Sequence, residues 1–332
     1  MEDARRALDH WDVPGELRPV DSGLINQTWA VVDGARTTGI LQRLNTAIFR
    51  AVVHEDIEAV TARLAERGMP TPRLVRTRAG GLWHEDSTGV WRILTPVGDR
   101  TVAKLASPEE AREAGRLVAR FHAETRDLAW DFRMVRAGAH DTDRHLTRLK
   151  EGVARHSDHR LHRDVAALTV ELEAAWRAWG AIPALPTRII HGDLKISNLR
   201  FLGPRAHALV DLDTLARGTL DIELGDALRS WCNTGSEDTL EPMFDAHIFG
   251  AAMAGYREAA ADVTDAEWAA IVPGTERIAT ELAMRFALDA LDESYFGWKE
   301  GFGGRGEHNL LRARGQAALA RSIREQRSAL TP

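Results

Sequence analysis

The sequence predicts an α+β chain of two lobes. Residues 1–97 read as a small antiparallel β-sheet lobe with one inserted helix, and residues 98–332 as a larger, mainly helical lobe. Three observations predict this. Short β-rich runs separated by turn residues fill the first hundred residues, and helical periodicity takes over from about residue 98. The length of 332 residues corresponds to about two domains. With 44% hydrophobic and 28% charged residues, the chain can bury a sizeable core and is not a disordered tail.

The elements follow in order. Thr28–Val32 and Thr38–Leu44 are β-rich and joined through Asp33-Gly34, a strong hairpin dipeptide. Residues 55–67 read as a helix that stops at Gly68, with Pro70 and Pro72 beyond it. Short strands are expected at Arg73–Val75, Leu82–His84 and Val90–Thr95. Ser107-Pro108-Glu109-Glu110 then combines an N-cap, a first-turn proline and a capping-box glutamate. Ala111, Ala114, Leu117, Val118 and Phe121 line one face of the helix that follows. Further helices are expected from Asp164 to Trp179 and over roughly 276–297 and 308–326, with strands at Arg188–Ile190 and Ala208–Leu212.

Composition excludes several function classes. Of 43 basic residues only Lys104, Lys150, Lys195 and Lys299 are lysines, and none follows a glycine. A G-x-x-x-x-G-K-[ST] phosphate loop is therefore absent. The net charge of −6 gives no basic footprint for nucleic acid. No apolar run approaches the ~20 residues that span a bilayer. The N-terminus has no apolar leader, and the single cysteine, Cys232, forms no intrachain disulfide, so a reducing cytoplasm is expected. Residues 221–300 carry 17 acidic and 5 basic side chains, which read first as an ordinary solvated surface and could also attract a cationic substrate.

The stretch that carries chemistry is His191-Gly192-Asp193-Leu194-Lys195-Ile196-Ser197-Asn198. It matches the kinase catalytic-loop pattern H-x-D-L-x-x-x-N, and Val210-Asp211-Leu212-Asp213 follows. Phosphoryl transfer needs a base at the acceptor hydroxyl and Mg²⁺ to neutralise the β- and γ-phosphates of ATP. Asp193 suits the first task. Asn198 and Asp211 supply the hard oxygen ligands Mg²⁺ prefers, and Lys195 can offset γ-phosphate charge.

With these residues in view, the chain resembles the aminoglycoside phosphotransferase or choline kinase-like superfamily, whose members share the protein-kinase fold. Within it, the chain is most similar to N-acetylhexosamine 1-kinases. The resemblance rests on Gly23–Trp29, Ile40-Leu41-Gln42-Arg43-Leu44-Asn45, the catalytic loop, Val210–Thr214, Leu224–Arg229 with Asn233-Thr234, and Glu307–Arg314. It implies that Ser22, Gly23, Asn26 and Thr28 belong to the nucleotide loop, here with one glycine instead of three. It implies a phosphate-holding cation on the third strand, where Arg43 stands in place of lysine, paired with Glu58 or with the nearby Glu55 or Asp56. It places the adenine hinge at Ile93-Leu94-Thr95-Pro96. It also makes Asp226 a wall of the acceptor site with Trp231, Asn233, His140 and Asp141, although from its neighbours alone Asp226 reads better as a helix N-cap.

Other motifs are set aside. Gly301–Gly306 satisfies G-x-G-x-x-G but follows a helix and lacks a βαβ unit. His156, His159 and His162 sit among charged residues and read as a solvated face. Ser236 lacks a nucleophile elbow, Cys232 reads as buried packing, and Trp176 and Trp179 read as core. The expected activity is ATP- and Mg²⁺-dependent phosphorylation of a sugar, at the anomeric hydroxyl of an N-acetylhexosamine or related amino sugar. The rivals are an aminoglycoside or other cationic-alcohol acceptor and a non-catalytic, pseudokinase-like binding module.

Overall fold

The structure is a computed structural model that describes residues 1–20 and 25–332. Ser22 and Gly23 lie outside the described residues.

The N-terminal lobe is one antiparallel sheet. Its strands β1 (Glu16–Pro19), β2 (Gln27–Asp33), β3 (Arg36–Arg43), β4 (Leu74–Val75), β5 (His84–Asp86) and β6 (Gly89–Leu94) run in the order β1-β2-β3-β6-β4, with β5 paired to β6. The β2–β3 hairpin closes Asp33 on Arg36 around Gly34, whose φ of 59° suits glycine. Helix α1 (Glu2–Leu8) and strand β1 add to the expected elements; one and two turns of chain are too short to show periodicity. Ala4, Ala7, Trp11, Trp29, Val31, Leu41, Trp91 and Ile93 pack into a core on one sheet face. Helix α2 (Val53–Glu66) covers the other face through Val53, Ile57, Val60 and Leu64.

Strand β7 (Arg100–Thr101) already pairs with β9 (Leu199–Leu202), so the chain passes between sheets over residues 95–99. Helix α3 (Pro108–Thr125) starts at the expected cap, where Ser107 Oγ accepts from Glu110 N at 3.2 Å. Then come α4 (Thr142–Arg155), α5 (His162–Trp179) and β8 (Thr187–Ile190). Strands β9 and β10 (Arg205–Leu209) form a hairpin, and β11 (Ala216–Thr219) pairs back onto β8. Helices α6 (Leu220–Trp231), α7 (Ala246–Ala259), α8 (Asp265–Asp292) and α9 (Arg305–Gln326) complete the lobe.

The long α8 is the spine of this lobe. It begins at a Thr264–Glu267 capping box, eleven residues before the expected start at 276, and carries Pro273 within it. It ends at Asp292, and Glu293 turns left-handed at φ 47°. Against it, α6 approaches backbone to backbone: a Cβ at Gly225 would lie 2.9 Å from the Gly274 carbonyl oxygen. This contact fixes α6 under the catalytic loop. No described helix is long and apolar enough to cross a membrane.

Candidate active site

The catalytic loop runs from β8 to β9 and hangs on buried Glu223 of α6. Glu223 Oε1 accepts from His191 N at 2.8 Å and Oε2 from Gly192 N at 2.9 Å. His122 of α3 donates to the same carboxylate at 3.3 Å, and Tyr256 OH donates to the other nitrogen of His122 at 2.8 Å. Burial opposes the Glu223 charge, but the His122 contact holds its carboxyl below the usual range. His191 is fully buried and donates from Nε2 to Val210 O at 2.9 Å, which ties the loop to the segment bearing Asp211. Gly192 has φ 77°, and a Cβ there would strike Thr214 O.

Four side chains expected at the site converge here. Lys195 Nζ lies 2.7 Å from Asp193 Oδ2 and 4.0 Å from Asp211 Oδ2. Asn198 Nδ2 donates to Asp193 O at 2.8 Å and to Asp193 Oδ2 at 3.2 Å. Burial opposes ionisation of Asp193, but the Lys195 ammonium outweighs it and keeps the carboxyl below the usual range. For Asp211, burial and the neighbouring Asp213 carboxylate push the pKa up. Asp211 sits past the end of β10 in the left-handed region, φ 64° and ψ 57°, rather than at a strand end as expected.

The donor set suits a hard divalent cation. Asp211 accepts no hydrogen bond among the described residues, and Asn198 spends its amide N–H groups on Asp193, leaving Oδ1 as an acceptor. Among the described residues no group of three or more His, Cys, Asp or Glu side chains is arranged to hold a metal, so any cation here would rely on Asp211, the Asn198 amide and oxygens from outside the protein. One carboxylate and one amide oxygen match Mg²⁺, which keeps waters and phosphate oxygens as its other ligands.

The cation that the N-terminal lobe sends toward this site is Arg92, not Arg43. Alternation along β3 places Gln42 and Arg43 on opposite faces. Gln42 pairs across the sheet with Arg92, accepting from its Nε at 2.9 Å. Arg92 is 1% exposed and bonds Asp213 with both terminal nitrogens, at 2.5 and 2.8 Å. Arg43 instead lies over the Trp91 ring, 5.7 Å from its centroid, beside Gly89. The expected Arg43–Glu58 pair is therefore absent: Glu58 faces Arg73 and Arg76 at 3.6 and 3.2 Å. Asp56 accepts from Trp130 Nε1, Arg133 N and Met134 N, and Glu55 lies 3.8 Å from Arg133. The α2 residue that reaches the Arg92 pair is buried His54. Burial and the Arg92 charge lower its pKa to about 4.

Several other expected ligands have structural partners. Asn26 donates to Asp213 at 2.7 Å and accepts from Asn45 N, so its side chain is spent between the lobes. Thr28 accepts from Gln42 on the same sheet face at 3.2 Å. Leu94 lies between β3 and β4, and Thr95 N donates to Arg73 O at 2.9 Å, so neither offers adenine a free N–H. Trp231, 2% exposed, donates to Leu194 O at 2.8 Å and holds the catalytic loop from beneath instead of lining an acceptor site. Asp226 lies within α6, not at an N-cap, and pairs with buried Arg229 at 2.6 Å. Asn233 is buried and accepts from Gly235 N. Asp141 caps α4, and His140 donates to Glu281 at 3.0 Å.

A bilobal fold with this loop defines a kinase-type phosphotransferase acting on alcohol hydroxyls of small molecules. The chain belongs to the phosphotransferase enzyme family (APH), which it matches over residues 16–261. Among curated proteins, a homoserine kinase from Sinorhizobium fredii is 26% identical over 232 residues, covering 67% of this chain and 68% of its own. A homoserine kinase from Pseudomonas aeruginosa is 27% identical over 236 residues, covering 68% and 71%. Among solved structures, an amicoumacin kinase held with AMP-PNP and Ca²⁺ superposes with TM-score 0.66 at 14% identity, over 100% of this chain and 94% of its own. A microcompartment-associated aminopropanol kinase gives TM-score 0.62 at 19% identity, over 99% and 98%.

Proposed function

We propose that the protein transfers the γ-phosphoryl group of ATP, with Mg²⁺, to a sugar hydroxyl, the anomeric one of an N-acetylhexosamine or related amino sugar, in the cytoplasm. The observation that carries the reaction is the Asp193–Lys195–Asn198–Asp211 constellation. Asp193 stays ionised beside Lys195 and takes the acceptor proton as the new O–P bond forms and the bond to the β-phosphate oxygen breaks. Asn198 Oδ1 and Asp211 hold the metal, which neutralises phosphate charge when bound. With Arg92 committed to Asp213, Lys195 is the cation within 4.0 Å of Asp193 and Asp211 among the described residues. It balances charge on the moving phosphoryl group. The four competent side chains disfavour a pseudokinase-like module. The sugar acceptor itself rests on the Leu41–Asn45 and His308–Leu310 stretches of the sequence.

A homoserine-like acceptor is the second reading, favoured by the kinases of that name that match two thirds of the chain. A cationic acceptor loses part of its support, because several acidic residues of 221–300 are paired with arginines. Asp221 faces Arg277, Asp226 faces Arg229, Glu258 faces Arg112 and Arg116, and Glu276 faces Arg324. An acceptor panel incubated with Mg²⁺-ATP tests the reading: ADP release should need a free sugar, and release driven only by homoserine or a kanamycin-type amine overturns it.

A further inference from the structure

A cavity of about 340 Å³ opens between α4 and α8, and its lining is cationic. Arg136, Arg144, Arg148 and Arg285 all border it, and none has a carboxylate partner within 4.0 Å among the described residues. Elsewhere at this end of the lobe arginines are engaged: Arg155 with Asp292, Arg160 with Glu293 and Glu307, Arg312 with Asp238.

The two lining carboxylates are already satisfied. Asp289 accepts from Ser294 N, Tyr295 N, Phe296 N and Asn309 Nδ2, at 2.7 to 3.0 Å. Asp292 accepts from Arg155 and from His156 at 2.7 Å. His145 adds no charge near neutral pH, since burial lowers its pKa and it donates from Nε2 to Ala139 O. Four guanidinium groups around one concavity outnumber its two lining carboxylates, an excess of positive charge that an anion relieves, and their forked donors match carboxylate and phosphate oxygens. Tyr295, half exposed, adds an aromatic face to the same wall.

The cavity is tied to the reaction centre. Ala139 on its rim precedes His140, whose carbonyl accepts from Arg277 at 2.6 Å. Arg277 in turn lies 3.6 Å from Asp221 in the first turn of α6, the helix that carries Glu223.

We propose that this cavity is an oxyanion site, taking a carboxylate or phosphate carried by the acceptor or bound as a free anion. For the sugar-kinase reading on which its acceptor-borne form rests, it makes the substrate an acidic hexosamine derivative. It disfavours a polycation, which four unpaired arginines repel.

The test is titration of inorganic phosphate and of N-acetylglucosamine 6-phosphate into the full chain. Mg²⁺-AMP-PNP is kept saturating so that the nucleotide site is filled, and binding is read by calorimetry and by thermal shift. Wild type and Arg321→Ala, a control on another face of the lobe, should bind both ligands. Arg148→Gln/Arg285→Gln should bind at least about tenfold more weakly, and Arg148→Lys should restore part of the loss. Kinetics separate the sources. An acceptor-borne anion gives a higher kcat/KM for acidic than for neutral sugars, and phosphate then competes with the acceptor. A free anion binds without competition. Equal binding by wild type and the double glutamine variant, or none by wild type, overturns the proposal. Turnover of homoserine and of no sugar ends the sugar reading while the phosphate titration stands on its own.

Discussion

Arg92 of β6 and Asp213, two residues beyond Asp211, form a buried bidentate ion pair that joins the two lobes. Asn26 donates to the same Asp213 carboxylate, so the segment bearing Asp211, the β-sheet and the chain entering β2 share one anchor. A kinase of this fold commonly sends a lysine from its third strand to the phosphates. Here the cleft-facing position on that strand is Gln42, and the cation beside it is locked to protein. In the proposed reaction, phosphate charge falls to the metal and Lys195.

Removing one partner of this pair strands a buried charge. Arg92→Ala should cost about 3–5 kcal/mol of stability. Arg92→Met with Asp213→Asn should cost less than the sum of the single changes, because the two groups act on each other. Urea denaturation of wild type, Arg92→Ala, Arg92→Met, Asp213→Asn and the double variant measures both, and strict additivity would refute the coupling.

Glu223 should matter for turnover more than for nucleotide affinity. Glu223→Ala leaves the N–H groups of His191 and Gly192 buried without an acceptor and lets the loop shift. We expect kcat to fall about a hundredfold, with the Kd for Mg²⁺-ATP changed by less than about threefold. Equal losses in both would assign Glu223 to nucleotide binding.

Lys195→Met should lower kcat by about 10²–10³-fold while the acceptor KM moves little, as expected of a charge felt mainly in the transition state. Lys195→Arg tests whether a compact ammonium is needed between Asp193 and Asp211. Steady-state kinetics with both substrates varied gives the answer, and wild-type kcat in Lys195→Met would remove it from the reaction.

Asp238 links three segments at the far end of α9, accepting from Lys299, His308 and Arg312. These donors outweigh burial and lower its pKa to about 2. A depressed carboxylate stabilises the fold above its unfolded pKa of ~3.9 and loses that contribution as pH falls toward 2. Asp238→Asn should therefore be destabilised by about 2 kcal/mol at pH 7, and the gap should narrow between pH 4 and pH 2. Chemical denaturation across that range checks the sign; a gap that widens on acidification contradicts it.

Much of the site was legible in the sequence because it is local. Asp193, Lys195 and Asn198 lie within six residues, and Asp211 follows one hairpin later, so one motif brings them together. The long helices were legible where caps and apolar spacing agreed, as at Ser107. What the sequence hid depends on sheet register and on contacts between lobes. Arg43 and Gln42 are adjacent in sequence yet face opposite ways, and only the pairing of Gln42 with Arg92 shows which one meets the cleft. Arg92 did leave a trace, as one charge inside the apolar run Val90-Trp91-Arg92-Ile93-Leu94. Trp231 and Glu223 act on the catalytic loop from more than thirty residues away, through contacts no spacing rule reveals. Several acidic residues of 221–300 are paired with arginines as distant as Arg112 and Arg324, which no local spacing links to them.

The most direct measurement is ³¹P NMR of a reaction containing Mg²⁺-ATP and a panel of free and acidic N-acetylhexosamines, run with wild type and with Asp193→Ala. Wild type should produce ADP and a resonance coupled to the anomeric proton of the sugar. Asp193→Ala should produce neither while still binding Mg²⁺-ATP and unfolding cooperatively. Turnover by Asp193→Ala at the wild-type rate, or phosphate found only on non-sugar acceptors, would contradict the account.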